Sequence, residues 1–184
     1  MDKTTLQQIA GGDRLAYELF YKNYFRKFCN YGRKFTADLL LIEDSIQEVF
    51  LDIWLKQDKL LTIASPPAYF LTSFRYTLLR KMEQASRTIQ TNDFGENCLF
   101  FLEPAAVESF HKEGNKKIQT ALQSLTSRQK EAVFLRFYEE LSYEDVAAVM
   151  NITVKACYKI IARSLASLRD NLSLIATAVC AYFI

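Results

Sequence analysis

Residues 141–169 read LSYEDVAAVMNITVKACYKIIARSLASLR and carry the pattern of two helices joined by a tight turn. Ser142 is a typical N-cap, and the acidic residue three positions later favours the start of a short helix. Asn151 tolerates a left-handed backbone, which suits the turn, and Thr153 can cap the second helix. A short helix, a turn and a longer basic helix predict a helix-turn-helix, whose second helix is the one expected in a DNA major groove.

The second of these helices has two distinct faces. Lys155, Lys159 and Arg163 recur every fourth residue on one face, with Tyr158 beside them. An ordinary pair of packed helices with a solvated cationic face would show the same periodicity, so the pattern alone leaves both interpretations open. The opposite face is predicted to be a buried apolar stripe, made of Val154, Cys157, Ile161, Leu165, Leu168 and Leu172.

Composition favours an all-α protein. The chain has 184 residues, half of them hydrophobic, with only 5 glycines and 3 prolines. Its formal charge is +2, divided into +3 over residues 1–90, −4 over 91–115 and +3 over 116–184. So modest a charge argues against a protein that holds DNA by phosphate contacts alone, and fits one that reads DNA while bound to a larger partner.

The cysteines and the histidine argue against a metal site or a disulfide framework. The four cysteines are far apart and form no CxxC pair: Cys29, Cys98, Cys157 and Cys180. Without a signal peptide they are interpreted as reduced thiols of a cytoplasmic protein. His111 is the only histidine and has no companion at ligand spacing. We therefore expect no metal and no cofactor, and the absence of a nucleophile motif or a phosphate-binding loop disfavours an enzyme with a small-molecule substrate.

The first part of the chain predicts a helical bundle. Leu6, Ile9 and Ala10 indicate a short helix that ends at Gly11-Gly12, and Asp13 can cap the next helix. That second helix has a predominantly aromatic face, made of Ala16, Leu19, Phe20, Tyr24, Phe28, Tyr31 and Phe35.

A third helix, starting at Thr36 or Asp38, has two non-equivalent faces. One is apolar and predicted to be buried, with Ile42, Ile46, Val49, Ile53 and Trp54. The other mixes carboxylates with leucines, which a purely solvated face would not need, and indicates a helical, basic partner. A helix buried on two sides of a bundle is the alternative. The mixed face consists of Asp44, Gln47, Glu48, Leu51 and Leu55.

Residues 56–65 lack periodicity and are predicted to form a loop, and Pro66-Pro67 opens the next helix. In that helix aromatic residues alternate with cations, including Arg75, Tyr76, Arg80 and Lys81. Such interleaving suits stacking on unpaired bases and contacting phosphates, although a core face with a basic rim looks the same.

The domain organisation follows from where periodicity fades and returns. We predict a helical domain at 1–88, an acidic linker at 89–115, a four-helix domain with the helix-turn-helix at 116–171 and an apolar tail at 172–184. Thr126 and Gln129 form a capping box within the second domain. The tail is too short to cross a bilayer core of about 30 Å and is expected to extend the last helix.

Two segments together resemble a known family. The segment EDSIQEVF at 43–50, followed by Trp54, resembles the helix with which bacterial sigma factors bind core RNA polymerase. Residues 125–169 resemble the fourth region of the same proteins. Two such modules in fewer than 200 residues, joined by a linker, are similar to the extracytoplasmic-function (ECF) class of the sigma-70 family.

The resemblance implies roles for particular residues. Asp44, Gln47 and Glu48, with Leu51 and Leu55, would dock on the clamp helices of the β′ subunit. The segment at 56–65 and the following helix would capture the minus-ten element and a flipped base, with Arg75, Tyr76, Arg80 and Lys81 as candidates. Lys155, Tyr158, Lys159 and Arg163 would read the minus-thirty-five element.

The family resemblance also implies three partners. They are core RNA polymerase, promoter DNA and an anti-sigma factor, and the polymerase would be bound through its β′ clamp helices and its β flap. The sequence departs from many relatives at Arg75-Tyr76, where they have Arg-Asn, and at Ile160 and Ala162, where they often have cations. A helix-turn-helix regulator that binds duplex DNA without polymerase is the alternative function. A gel shift without polymerase distinguishes the two.

Overall fold

The computed structural model describes residues 3–89 and 121–182 and, within them, the side chains of 4–56, 60–86 and 121–170. The chain divides into two compact units, Met1–Leu99 and Phe100–Ile184. All regular elements of the described residues are helical, which confirms the predicted all-α class. Residues 90–120, which hold most of the predicted linker together with Cys98 and His111, lie outside the described residues.

The described residues of the first unit form four α-helices, two of which start at an aspartate cap. Asp13 accepts hydrogen bonds from the backbone N–H groups of Leu15 and Ala16, at 2.9 and 3.1 Å, so the second helix starts where the sequence predicted. Asp38 caps the third helix through the N–H of Leu41. The helices are α1 (Lys3–Ala10), α2 (Arg14–Gly32), α3 (Leu39–Leu55) and α4 (Pro66–Ile89).

Aromatic rings from three helices make the core of this unit. Phe28 of α2 stacks on Phe74 of α4 with ring centres 4.7 Å apart, and Phe20 meets Phe50 of α3 edge-on at 5.4 Å. A Cβ added at Gly32 would lie 3.0 Å from a methyl group of Ile42 and 3.1 Å from the ring of Phe74, so any larger residue here would require these side chains to shift. The core therefore depends on ring geometry and on one close helix contact.

Two expectations for this unit were wrong. Leu19 was placed on the buried face of α2, but it is 62 % exposed, because that face follows the 4-4-4-3 spacing from Ala16 to Tyr31 and leaves Leu19 beside it. Residues 56–65 were expected to be a loop, yet Gln57–Thr62 form a 3₁₀-helix that packs against α1. Leu60 is buried and holds this turn in place, and six residues are too few to show a helical period.

The second unit confirms the predicted caps. Thr126 and Gln129 form the reciprocal capping box, with side chain to backbone distances of 2.9 and 3.3 Å. Ser142 accepts a hydrogen bond from the N–H of Asp145 at 3.0 Å, and Thr153 accepts one from Ala156 at 3.2 Å. The resulting helices are α5 (Ser127–Val133), α6 (Tyr143–Val149) and α7 (Val154–Tyr182).

The turns around α6 use backbone conformations that most residues avoid. Asn151 joins α6 to α7 with φ of 52°, the left-handed conformation predicted from its residue type. Before α6, helix α5 ends at Val133 and the chain continues as a π-helical turn, Phe134–Tyr138. Glu140 follows with φ of 56°. The wider turn leaves the side chains of Phe137 and Tyr138 exposed.

Helix α7 packs through a narrower stripe than the sequence predicted. Cys157 and Ile161 are buried as expected, but Val154 and Leu165 were wrongly placed on this stripe, since they are 38 % and 44 % exposed. Ser164 occupies the core position beside Leu165 instead. Ser164 can be buried because its hydroxyl donates to the Ile160 carbonyl oxygen at 2.8 Å. The helix continues to Tyr182, so the backbone of the tail extends the last helix as expected; side chains from 171 onward, including Leu172 and Cys180, lie outside the described residues.

Candidate functional site

The exposed side of α3 forms one continuous ridge in the first unit. Ile42, Ile46 and Ile53 point into the core, so the opposite side of the helix faces solvent. All five residues predicted for polymerase binding lie on it and are exposed: Asp44, Gln47, Glu48, Leu51 and Leu55. The alternative, a helix buried on both sides, is therefore wrong for the unit taken by itself.

Two of the ridge carboxylates are tied to cations of α4. Lys81 Nζ bridges a carboxylate oxygen of Asp44 and Glu48 Oε2, the latter at 2.9 Å, and the guanidinium of Arg80 binds Glu48 Oε1. The side chain of Lys81 is only 13 % exposed, whereas that of Asp44 is 66 % exposed. We name these four residues the α3–α4 ion cluster. It brings together two residues predicted to bind polymerase and two predicted to bind DNA.

The cluster stabilises the charge on Lys81. Partial burial lowers the pKa of this ammonium group, but the hydrogen bonds to Asp44 and Glu48 raise it by more, so the net shift is upward. Carboxylates four residues apart on a helix repel each other, and Lys81 between them offsets that repulsion. The ridge therefore carries two carboxylates whose charges are already balanced by the protein.

A groove of about 360 Å³ separates the ridge from α4. Leu51 and Leu55 of α3 line one wall, and Tyr76 and Arg80 of α4 line the other. Tyr76 is 69 % exposed, so its ring is available to an occupant. Arg75 and Lys81, although predicted to act with Tyr76, are not among the described side chains that line the groove.

Among the α4 residues that line the groove, Tyr69, Ser73 and Thr77 were not singled out from the sequence. Tyr69 lines the groove and is partly exposed, and with Ser73, Tyr76 and Arg80 it forms a stripe on α4 at spacings of 4, 3 and 4. That stripe was detectable as helical periodicity. It was overlooked because the candidate residues of this helix were chosen by residue type, and their positions around the helix axis were not compared.

In the second unit, α7 presents its cations to solvent. Lys155, Lys159 and Arg163 are all exposed and lie on one face at four-residue spacing, and Tyr158 beside them is 50 % exposed. Among the described residues none of the three cations forms an ion pair. The packed side of the helix is occupied by Cys157, whose pKa is raised by burial, so the cysteine is part of the core.

Tyr158 is held by a column of flat groups. Its ring stacks on that of Tyr143, the first residue of α6, with centres 4.0 Å apart and planes 14° from parallel. The guanidinium of Arg136 lies over the Tyr143 ring, 5.0 Å from its centre. Arg136 is itself fixed by a 2.9 Å hydrogen bond to the carbonyl oxygen of Leu141. The column thus connects the turn before α6 to the exposed side of α7.

The described residues contain no group of three or more His, Cys, Asp or Glu side chains that could hold a metal ion. None of the helices described is both long and apolar enough to span a membrane.

Helix α6, the left-handed turn at Asn151 and the exposed cationic helix α7 form a helix-turn-helix, a motif with which many DNA-binding proteins enter the major groove. Residues 115–168, which contain that motif, match the family model "Sigma-70, region 4". The chain is 25 % identical over 145 residues to the ECF RNA polymerase sigma factor SigK of Mycobacterium ulcerans, covering 77 % of this chain and 78 % of the relative. It is 23 % identical over 165 residues to the RNA polymerase sigma-H factor of Pseudomonas aeruginosa, covering 83 % and 84 %.

Solved structures share the fold. CnrH, in complex with the cytosolic domain of CnrY, superposes with a TM-score of 0.60 at 19 % identity, over 94 % of this chain and 97 % of CnrH. The sigma factor RpoE, in complex with the anti-sigma factor NepR from Bartonella quintana, gives 0.58 at 23 % identity, over 84 % and 93 %. The chain is thus similar to ECF sigma factors of the sigma-70 family, through the region 4 match at residues 115–168, through relatives aligned over most of their length and through the shared fold.

Proposed function

We propose that this protein binds core RNA polymerase, directs it to specific promoters and assists their melting. The observation that carries the proposal is the exposed face of α7, whose cations have no ion-pair partner among the described residues, inside the segment that matches region 4. Unpaired cations on a recognition helix are what phosphate and base contacts require. The role needs no chemistry, no cofactor and no small-molecule substrate, and it places the protein in the cytoplasm with the polymerase.

The ridge on α3 is the proposed docking site for polymerase. Leu51 and Leu55 are exposed beside Asp44 and Glu48, and apolar side chains rimmed by carboxylates fit a partner helix that carries leucine-sized residues and cations. In this proposal the partner is the β′ clamp helix pair, and the β flap meets the second unit. The charge balance within the ion cluster means that Asp44, the more exposed carboxylate, meets the partner's cations first.

The groove beside the ridge is the proposed place for minus-ten recognition. Tyr69, Tyr76 and Arg80 supply ring faces and a cation to a volume of about 360 Å³, which is large enough for an unpaired base. Stacking on a ring offsets part of the few kcal/mol that unstacking a base costs. Arg75 and Lys81 remain candidates from the family resemblance, but they do not share this wall.

Regulation by an anti-sigma factor is part of the proposal. Both solved relatives were captured with a partner, and for RpoE that partner is an anti-sigma factor. An inhibitor that covered the α3 ridge and the cationic face of α7 would block polymerase and promoter together.

The test is transcription with purified core polymerase. The protein is expected to co-purify with core enzyme and to start transcription at promoters that core enzyme alone ignores. A gel shift with the same promoter duplex, without polymerase, should show weak binding. Strong and specific binding of duplex by the protein alone, with no effect on core enzyme, would instead support a stand-alone regulator.

A further inference from the structure

The exposed side of α7 carries a second strip besides its cations. Val154, Tyr158 and Ala162 recur every fourth residue, directly beside Lys155, Lys159 and Arg163. All three are exposed, Val154 by 38 % and Tyr158 by 50 %. The exposed face of the helix thus consists of two parallel strips, one apolar and one cationic, that lie side by side along the helix axis.

The two strips suit different parts of duplex DNA. Cations at the edge of a recognition helix reach phosphates, which position the protein without reading sequence. Apolar side chains that face the floor of the major groove contact the one apolar group there, the C5-methyl group of thymine. Since the places of Ile160 and Ala162 carry no cation in this chain, hydrogen-bonded readout of guanine has fewer donors on this helix than a helix rich in arginine would offer.

Tyr158 is prepared for such a contact. Its ring is stacked against Tyr143 and, through it, against Arg136, so its orientation is fixed before DNA arrives. A large side chain that is already ordered loses little conformational entropy on binding. Half of its surface is nevertheless exposed, so part of the side chain remains accessible to a ligand.

We infer that the strip Val154–Tyr158–Ala162 reads thymine methyl groups in the upstream promoter element, and that Tyr143 is a positioning residue that holds Tyr158 for this contact. The inference rests on the proposed function and deepens it, because it names the base chemistry that the recognition helix selects. Lys155, Lys159 and Arg163 then supply attraction to any sequence, and the apolar strip supplies the preference.

The experiment removes methyl groups from DNA. Duplexes selected by the holoenzyme from a randomised upstream element are resynthesised with deoxyuridine in place of thymine, one position at a time, and holoenzyme binding is measured. We expect a loss of about fourfold at each thymine that the strip contacts, the equivalent of one methyl group returned to water. In Tyr158→Ala holoenzyme the same substitution should have no effect at one of these positions.

Variants of Tyr143 test the positioning role. Tyr143→Phe keeps the stacked ring and should keep the full methyl sensitivity, whereas Tyr143→Ala should lose it at the Tyr158 position. In the Tyr158→Ala background Tyr143→Ala should cause no further loss of sensitivity. Lys159→Ala serves as a contrast, since it should reduce the salt slope of binding and leave the methyl sensitivity intact.

The outcomes separate this inference from the proposed function. Absence of holoenzyme formation or of promoter selection overturns the proposed function. Promoter selection with no deoxyuridine effect, or with an effect that Tyr158→Ala leaves unchanged, overturns the thymine contact alone. A deoxyuridine effect that survives in Tyr143→Ala overturns the positioning role alone.

Discussion

The cations Arg80 and Lys81 of α4 and the cations of α7 were both predicted to contact DNA, yet the first are paired with carboxylates and the second are exposed without an ion-pair partner among the described residues. Lys81 and Arg80 are bound to carboxylates of α3, and Lys81 is largely covered. Lys155 and Lys159 extend into solvent without an ion-pair partner among the described residues. The first unit therefore balances its charges internally, whereas the second presents them to a ligand.

This difference bears on how each unit can bind DNA. A cation that already has a carboxylate partner must give up that partner, or share it, before it neutralises a phosphate. Exposed ion pairs are worth about 0–1 kcal/mol, so Arg80 can exchange partners at small cost. Lys81, with two partners and little exposure, is held more firmly. The ridge that we propose as the polymerase-binding site and the predicted minus-ten contacts thus share one set of charges.

The largest expected effect comes from reversing the carboxylates of the shared cluster. Asp44→Arg combined with Glu48→Arg places two cations opposite a basic partner and removes the partners of Arg80 and Lys81. We expect core polymerase binding to fall by at least about 100-fold, since truncation of central interface residues costs 2 kcal/mol or more each. Binding is measured by competition for core enzyme against the unmodified protein.

The matched control for this double variant is Glu18→Arg on α2. Glu18 is an exposed carboxylate that pairs with Lys22, away from the ridge, so reversal of its charge should leave core binding within about twofold. Retained transcription by the Asp44→Arg, Glu48→Arg protein would show that the ridge is not the docking site.

The second effect is weaker promoter binding after removal of an unpaired cation. Lys159→Ala should reduce the salt slope of holoenzyme binding to the upstream element by about one, because its ammonium group is expected to meet a phosphate. Core polymerase binding should stay near normal. The measurement is promoter binding by holoenzyme at several salt concentrations.

Arg80→Ala allows the paired cations of α4 to be compared with the unpaired cations of α7 in duplex binding by the protein alone, without polymerase. Because the guanidinium of Arg80 is already bound to Glu48, its removal should change the salt slope for generic duplex less than Lys159→Ala does. An equal change for the two variants would mean that the ion cluster does not restrain Arg80.

Periodicity and capping predicted most of the fold, for reasons visible in single residues. Ser142, Thr126 and Asp13 act through neighbours two or three residues away, so their roles can be read locally. The pairing of Lys81 with Asp44 joins residues 37 apart and depends on how α3 packs on α4. No local pattern contains that information, and the same is true of the ring contact between Tyr143 and Tyr158.

Errors in the predicted elements have equally local causes. Six residues of 3₁₀-helix are too short for a period, so Gln57–Thr62 looked like a loop. The core position of Ser164 was missed because a serine is scored as polar, although its hydroxyl is satisfied by the helix backbone. The exposed ridge on α3 was identified correctly, since leucines beside carboxylates depart from an ordinary amphipathic helix.

The third effect concerns stability and contrasts two lysines. Lys81→Met should lower the free energy of unfolding of the first unit by about 1–2 kcal/mol, between the values for exposed and buried ion pairs. Lys155→Met removes an exposed, unpaired charge and should change stability by less than about 0.5 kcal/mol. Urea unfolding followed by Trp54, the single tryptophan, reports on the first unit because its ring packs at 4.7 Å from that of Tyr17. Equal free energies of unfolding for Lys81→Met and the unmodified protein would show that the α3–α4 ion cluster does not stabilise the first unit.

The smallest expected effect is the pH dependence of the contribution that Lys81 makes to the free energy of unfolding. The pKa of Lys81 is higher in the folded protein than in the unfolded chain, so its stabilisation is present in full below the unfolded value of about 10.4 and is lost as pH rises through the folded value. The stability difference between the unmodified protein and Lys81→Met should therefore stay constant from about pH 7 to 9 and shrink above 10.4.

Two other side chains of the first unit serve as references for this alkaline measurement. Burial and the charge of Tyr21 raise the pKa of Tyr17 to about 12, so its 2.7 Å hydrogen bond to the Phe50 carbonyl oxygen persists while Lys81 loses its proton. Arginine side chains remain charged over the same range, so the difference between the unmodified protein and Arg80→Gln should not change with pH. If both differences shrank together, the loss would reflect general alkaline unfolding, and Lys81 would have no special part in joining α3 to α4.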